Sequence, residues 1–72
     1  MDKEQFNINL GNALRDVRLE LGISQEIMAG KAGLSRNYIG EIERGEKSIT
    51  VYALFELLEA NNISVSKFME RV

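Results

Sequence analysis

Residues 24–44 read SQEIMAGKAGLSRNYIGEIER, and they contain two candidate helices separated by a very short link. Ser24 and Ser35 are each suited to begin a helix, because a serine hydroxyl accepts a hydrogen bond from a free backbone N–H of the first turn. We therefore predict helices over about 25–32 and 36–44. Such a short link forces a sharp angle between the two helices.

The small and apolar residues of this stretch have the spacing of a helix-turn-helix motif. Ala29 lies where the two helix backbones are expected to cross, Gly33 lies in the turn, and Ile39 is the inward-facing residue of the second helix. The turn is expected to need a positive φ angle, which glycine adopts without strain. Spacing alone supports an ordinary helical hairpin in a bundle about as well as a DNA-binding motif.

Upstream of the motif, apolar residues continue with helical spacing. The stripe consists of Phe6, Leu10, Ala13, Leu14, Val17 and Leu21. It predicts a helix over about 3–21. Asp2 and Gln5 have the spacing of a capping box at the start of this helix. Gly11 costs about 1 kcal/mol relative to alanine, so we expect it to weaken the first turns.

Downstream, Thr50 is the predicted start of a fourth helix that ends at Asn61-Asn62. Ser64 is the predicted start of a last helix over about 65–71. The expected inward residues of the fourth helix are Val51, Leu54, Phe55 and Leu58. No strand pattern competes, so the predicted fold is all-α. We expect a compact five-helix bundle that forms a single domain over residues 1–72, with the motif at about 24–44.

Composition excludes several classes of function. The chain has 72 residues, nine Lys+Arg, eleven Asp+Glu and a formal net charge of −2, with no Cys and no His. Disulfides, Cys/His metal sites and histidine acid–base catalysis are therefore excluded. No catalytic motif, signal peptide or apolar run of roughly 18 residues is present. We expect a cytoplasmic protein that is not an enzyme, binds no cofactor or metal, and has no membrane partner.

Several motifs in register make the chain resemble the Xre family, the lambda repressor/Cro-like helix-turn-helix proteins. The resemblance covers about residues 10–69 and implies a lambda repressor-like DNA-binding domain. The similar stretches are Arg15–Arg18, Leu21-Gly22, Ile23–Glu26, Ala29–Ile39, Ile42–Gly45 and Ile63–Val65 before Phe68. The chain especially resembles small controller proteins of restriction–modification systems. It is similar to them in its length, in the residues Arg36–Ile39 of the second motif helix and in the loop residues Ile49-Thr50. Prophage regulators and antitoxins share the same domain.

The second helix of such a motif lies in the major groove, with its N-terminal residues against the base edges. The candidate base-reading residues are Ser35, Arg36, Asn37 and Tyr38. Arg36 can pair with O6 and N7 of guanine, and Asn37 with N6 and N7 of adenine. Solvated surface is the alternative interpretation for both side chains.

Candidate contacts to the DNA backbone surround these residues. Ser24 and Gln25 open the preceding helix, whose free N–H groups favour a phosphate, and the resemblance implies that Gln25 also braces the recognition helix. Arg44 and Lys47 follow the recognition helix. Arg15 is a further candidate from the first helix, although a solvated charge is the more ordinary interpretation.

The resemblance also implies a structural ion pair between Arg18 and Glu43, partly buried between the first and third helices. Residues 15–47 carry six basic and six acidic groups. Glu41, Glu43 and Glu46 are expected on or near the DNA face, so we predict weak non-specific affinity and a modest dependence on salt.

The last two helices carry more apolar surface than one buried face needs. We predict that residues of about 50–72 form a symmetric interface, led by Tyr52, Phe55, Val65 and Met69, and that a homodimer binds paired half-sites of double-stranded DNA. Closure of the monomer core is the alternative for about half of this apolar set.

The predicted function is that of an autoregulatory transcriptional regulator, with the controller of a restriction–modification operon as its particular class. RNA polymerase is a further candidate partner, and exposed acids such as Glu26 or Glu41 are candidate contacts. The alternative is an antitoxin-like or prophage regulator whose main partner is another protein.

Overall fold

The computed structural model describes all 72 residues, and it contains five α-helices and no strand. The helices are α1 (Lys3–Leu21), α2 (Gln25–Lys31), α3 (Arg36–Glu43), α4 (Val51–Ala60) and α5 (Val65–Met69). The all-α, five-helix prediction is confirmed. The ends of α2, α3 and α5 lie one or two residues earlier than predicted. After α2 and α5, backbone N–H groups donate to carbonyl oxygens three residues earlier, and these hydrogen bonds close the last turn.

A side-chain oxygen caps the N-terminus of every helix by accepting a hydrogen bond from the backbone N–H three residues on. The five capping residues are Asp2, Ser24, Ser35, Thr50 and Ser64. The capping box predicted for α1 is only half formed. Asp2 accepts from the Gln5 N–H at 2.8 Å, but the Gln5 side chain donates to Asn9 instead of returning to Asp2.

The hydrophobic core consists of twelve buried apolar side chains drawn from all five helices. The apolar stripe predicted along α1 is buried only in its middle. Its two end residues, Phe6 and Leu21, remain 38% and 48% exposed. This difference has a geometric reason. With 19 residues, α1 is roughly 28 Å long, and α3, which packs against it, is roughly 12 Å long. The ends of α1 therefore extend beyond this partner helix.

The inward face of α4 also differs from the prediction. Leu54 and Leu58 are buried as expected, but Val51 is 84% exposed and Phe55 is 44% exposed. Leu57 is fully buried in their place. Leu54 belongs to both possible apolar stripes of this helix, so helical spacing alone does not determine which stripe faces the core. None of the five helices is both long enough and apolar enough to cross a bilayer.

Gly11 sets the distance between α1 and α3. A Cβ atom at this position would overlap the carbonyl oxygen of Ile42 and lie 2.8 Å from that of Glu43. Only a hydrogen atom therefore fits where the two helices meet. Helix α1 is nevertheless continuous from Lys3 to Leu21, so Gly11 does not interrupt it.

Replacement of Gly11 by alanine should destabilise the fold even though alanine favours helices. The clash is with backbone atoms, which cannot move aside without separating the two helices, and we expect a loss of about 2 kcal/mol or more. Gly30→Ala is the matched control, since nothing lies within 4 Å of its added Cβ. That variant should gain about 0.5–1 kcal/mol. Urea denaturation of both variants measures the difference, and equal stabilities would contradict this explanation.

Candidate nucleic-acid interface

The turn between α2 and α3 is held by backbone geometry and by small residues. Gly33 adopts φ 70°, as predicted, and the Leu34 N–H donates to the Ala29 carbonyl oxygen at 2.9 Å. Ala29 and Ile39 are both buried in the core. The motif residues Ala29, Gly33 and Ile39 therefore hold α2 and α3 together. Helix α3 also packs against α1.

A buried carboxylate links the three helices of this region. Glu43, at the end of α3, is only 2% exposed. Arg18 of α1 donates to it through Nε at 2.7 Å and through Nη2 at 3.0 Å, and Gln25 of α2 donates through Nε2 at 3.0 Å. Arg15 Nε lies 3.5 Å from the same carboxylate. We call these four residues, Arg15, Arg18, Gln25 and Glu43, the Glu43 network.

The network keeps Glu43 charged despite its burial. Burial alone would raise the pKa of Glu43, but hydrogen bonds from Arg18 and Gln25, together with the charges of Arg18 and Arg15, outweigh it and lower this pKa. The hydrogen bonds to Glu43 likewise raise the pKa of Arg18. Glu43 therefore adds no exposed negative charge to the outer face of α3, contrary to its expected place on or near the DNA face.

The first turn of α3 exposes two side chains that are free to bind a ligand. Arg36 and Asn37 are exposed and make no side-chain hydrogen bond or ion pair within the chain. The Ser35 hydroxyl is engaged as the cap of α3 at 3.1 Å. Tyr38 is half-buried, and the Lys47 ammonium lies over its ring at 5.5 Å from the centroid.

A polar cleft runs along the outer face of α3. Its volume is about 380 Å³, and its lining residues are Gln25, Arg36, Asn37, Gly40, Glu41 and Arg44. Gly40 leaves room for the Arg44 side chain, whose Nη1 would lie 3.0 Å from an added Cβ. Arg44 also donates to Glu46 at 3.0 Å, and this hydrogen bond raises its pKa. From the sequence, Glu41 is expected on or near this face, whereas Gly40, one turn beyond Arg36, is not indicated.

The remaining predicted backbone contacts already have partners within the chain. The Ser24 hydroxyl caps α2, Gln25 belongs to the Glu43 network, and Arg15 also donates to the Glu43 carbonyl oxygen at 3.4 Å. All three lie beside the start of α2 or the end of α3. Their contact with phosphate stays a prediction.

A second groove, lined only by apolar side chains, lies between α1, α4 and α5. It has a volume of about 260 Å³, and its lining residues are Phe6, Leu10, Ile49, Val51, Leu54, Phe55, Val65 and Met69. Three of the four predicted interface residues line this groove. The fourth, Tyr52, is 71% exposed outside the lining, and the neighbouring Glu56 carboxylate raises its pKa.

A tight two-helix turn, an exposed first turn on the second helix and a network that holds this helix from behind define a helix-turn-helix DNA-binding domain of transcriptional regulators. The chain belongs to the helix-turn-helix family HTH_3, which matches residues 14–68. The resemblance to the Xre family is thereby confirmed.

Comparison with known proteins gives the same class. The chain is 40% identical over 62 residues to the control protein C.SmaI of Serratia marcescens, covering 86% of this chain and 74% of that protein. The crystal structure of the restriction-modification controller protein C.AhdI from Aeromonas hydrophila matches with a TM-score of 0.87 and 31% identity, over 94% of this chain and 99% of that one. The clp gene regulator ClgR from C. glutamicum matches with a TM-score of 0.86 and 29% identity, over 90% and 83%. These relatives are regulators, in agreement with the expectation that the chain is not an enzyme.

Removal of Arg18 should lower stability before it affects DNA binding. Arg18→Ala leaves the buried Glu43 charge without its main partner, and breaking a buried pair in this way typically costs about 3–5 kcal/mol. Arg71→Ala is the control, because Arg71 forms a similar two-bond pair with Glu20 at the surface, where solvent screens the charges. Thermal unfolding followed by circular dichroism should show a much larger loss for Arg18→Ala. An unchanged melting curve for that variant would contradict a structural role.

The Glu43 network should also make the stability of the fold depend on pH. Because the pKa of Glu43 is lowered in the folded state, its contribution is fully present above its unfolded pKa, about 4.3, and is lost as the pH falls through the lower folded value. Glu43→Gln should therefore be less stable at pH 7 and show a shallower loss of stability between about pH 5 and 3. Denaturant titrations at several pH values measure this slope. Glu20→Gln, at an exposed pair, should keep nearly the wild-type slope, and equal slopes for all three proteins would contradict the prediction.

Proposed function

We propose that this protein is a sequence-specific regulator that binds double-stranded DNA as a homodimer, controls its own operon and belongs to the restriction–modification controller type. The observation that carries the proposal is the exposed first turn of α3, where Arg36 and Asn37 lie free of partners within the chain. Relatives named as a control protein and as a restriction-modification controller protein support the particular class.

The recognition of bases is assigned to Arg36 and Asn37. An arginine pairs with guanine, and an asparagine with adenine, through two hydrogen bonds in the major groove. Tyr38 and Ser35 are assigned a supporting role beside them, since Tyr38 packs along the helix and Ser35 caps it. Lys47, Arg44 and the N-terminus of α2 are assigned to the DNA backbone on either side.

The distribution of charge supports selective binding over general attraction to DNA. Glu43 is compensated by Arg18 and Arg15, and Glu46 is compensated by Arg44. Few basic groups then remain to attract phosphate, so affinity for unrelated sequences should be low and should depend modestly on salt. Tight binding must therefore come from base contacts and from the use of two recognition helices.

Dimerisation is assigned to the apolar groove between α1, α4 and α5. Phe55, Val51 and Met69 expose apolar surface there that the monomer leaves in contact with water. Covering this surface with a second copy gains hydrophobic stabilisation in proportion to the area removed from water. Two copies related by a twofold axis would present two α3 helices to paired half-sites.

Dimerisation also gives a route to regulation. The fraction of dimer rises steeply with protein concentration, so the occupancy of an operator near the protein's own gene can report how much protein has accumulated. This behaviour suits an autoregulatory switch. We propose that the protein acts in the cytoplasm, where operon DNA is accessible. RNA polymerase is the proposed further partner at an activated promoter.

Arg36→Ala should abolish specific binding. In a gel-shift titration on DNA from immediately upstream of its own gene, the wild type should shift the probe as a dimer in the presence of random-sequence competitor. Arg36→Ala should lose about 1–3 kcal/mol of base discrimination in each half-site, and its shift should disappear. Arg71→Ala removes one positive charge away from α3 and should bind as the wild type does. Equal loss in both variants would show that only net charge matters.

Phe55→Glu should produce a folded monomer. A carboxylate in the apolar groove opposes burial by a second copy, because a buried unpaired charge is costly. Sedimentation should show a dimer for the wild type and a monomer for Phe55→Glu, which should also bind the operator weakly. Leu19→Glu, at an exposed leucine outside the groove, is the control and should stay dimeric. Unfolding of Phe55→Glu would instead assign this residue to the monomer core.

The second candidate is an antitoxin-like or prophage regulator in which another protein occupies the apolar groove. The similarity to ClgR supports this second candidate, because the same fold occurs in a regulator that is not named as a controller. Expression of the native operon discriminates the two. A different protein that co-purifies at equal amounts would favour the second candidate, and a dimer of this chain alone would favour the first.

A further inference from the structure

Glu41 is an unpaired carboxylate on the face of α3 that the proposed function directs towards DNA. It lines the polar cleft together with Arg36 and Asn37, and it takes part in none of the four ion pairs of the chain. The residue is partly buried, in contrast to the exposed Arg36 and Asn37.

The neighbours of Glu41 leave its charge uncompensated. Arg44 passes over Gly40 and donates to Glu46 at 3.0 Å instead of pairing with Glu41. The Glu41 charge contributes to the raised pKa of Arg44, after the larger effect of Glu46, and the two side chains form no ion pair. A ligand in the cleft therefore meets a carboxylate that still needs a hydrogen-bond donor.

Few groups on duplex DNA can supply that donor. Phosphates repel a carboxylate, and guanine and thymine present acceptors at their major-groove edges. Adenine offers its N6 amine beside the acceptor N7, whereas cytosine presents only its N4 amine. Cytosine is thus the base that a carboxylate contacts without meeting an acceptor.

We propose that Glu41 is a specificity-determining residue that accepts a hydrogen bond from the N4 amine of a cytosine and selects a C·G pair in each half-site. This inference rests on the proposed DNA-binding function and adds one base to those that α3 reads. Glu41 lies five residues beyond Arg36, a rise of about 7.5 Å along the helix. The cytosine should therefore belong to a different base pair from the one that Arg36 reads.

The test is in vitro selection from a duplex library with a randomised half-site, using wild type, Glu41→Ala and Glu41→Gln. The wild type should select C·G at one position and a guanine at the position read by Arg36. Glu41→Ala should keep the guanine and lose about tenfold in preference for the cytosine. Glu41→Gln should change the preferred base from cytosine to adenine, because glutamine pairs with N6 and N7 of adenine.

Glu4→Gln is the matched control, since it removes the same charge from an exposed position of α1 outside the cleft. It should leave every base preference unchanged, and circular dichroism should show all variants folded. If the Glu41 variants keep the cytosine preference, or bind all sequences more tightly without a change in preference, Glu41 acts only by repulsion and the inference is overturned. A wild type that selects no sequence would instead overturn the proposed function itself.

Discussion

The buried carboxylate of Glu43 is the interaction on which the rest of this small structure depends. It lies at the end of α3 and receives hydrogen bonds from Arg18 of α1 and Gln25 of α2, so one side chain fixes the relative positions of three helices. Close packing at Gly11 brings α1 against the same end of α3. The recognition helix is therefore held from behind by a charge network and by a backbone contact, and its opposite face is left free.

That arrangement explains how a net-acidic chain can carry a DNA-binding surface. The charge of Glu43, which would weaken binding, is compensated internally by Arg18, while Arg36 and Asn37 stay free at the first turn of α3. The second exposed surface, the apolar groove, lies between α1, α4 and α5. A short chain thus combines a polar surface suited to base recognition with an apolar surface suited to a second copy.

Much of the fold could be predicted from local signals in the sequence. The exceptions depend on tertiary contacts between distant parts of the chain. The five caps and the positive φ of Gly33 follow from residue type and spacing, because these interactions involve residues close in the chain. The role of Gly11 could not be predicted in this way, since its reason lies in the end of a helix about thirty residues away. The exposure of Val51 and Phe55 likewise depends on which side of α4 packs against the other helices. In the candidate site, the resemblance implied the Arg18–Glu43 pair and the bracing of α3 by Gln25, but only the structure shows that Gln25 does so through Glu43 and that Arg15 lies beside the same carboxylate.

Backbone amide NMR of the labelled protein, titrated with a duplex from upstream of its own gene, shows which face of the domain binds DNA. We expect the largest shifts in residues 35–41 and at the start of α2, while the amides of α4 and α5 change little. The amides around Glu43 should stay close to their free positions, because the network is already formed without DNA. Largest shifts in the apolar groove, with residues 35–41 unchanged, would show that the outer face of α3 is not the DNA-binding surface.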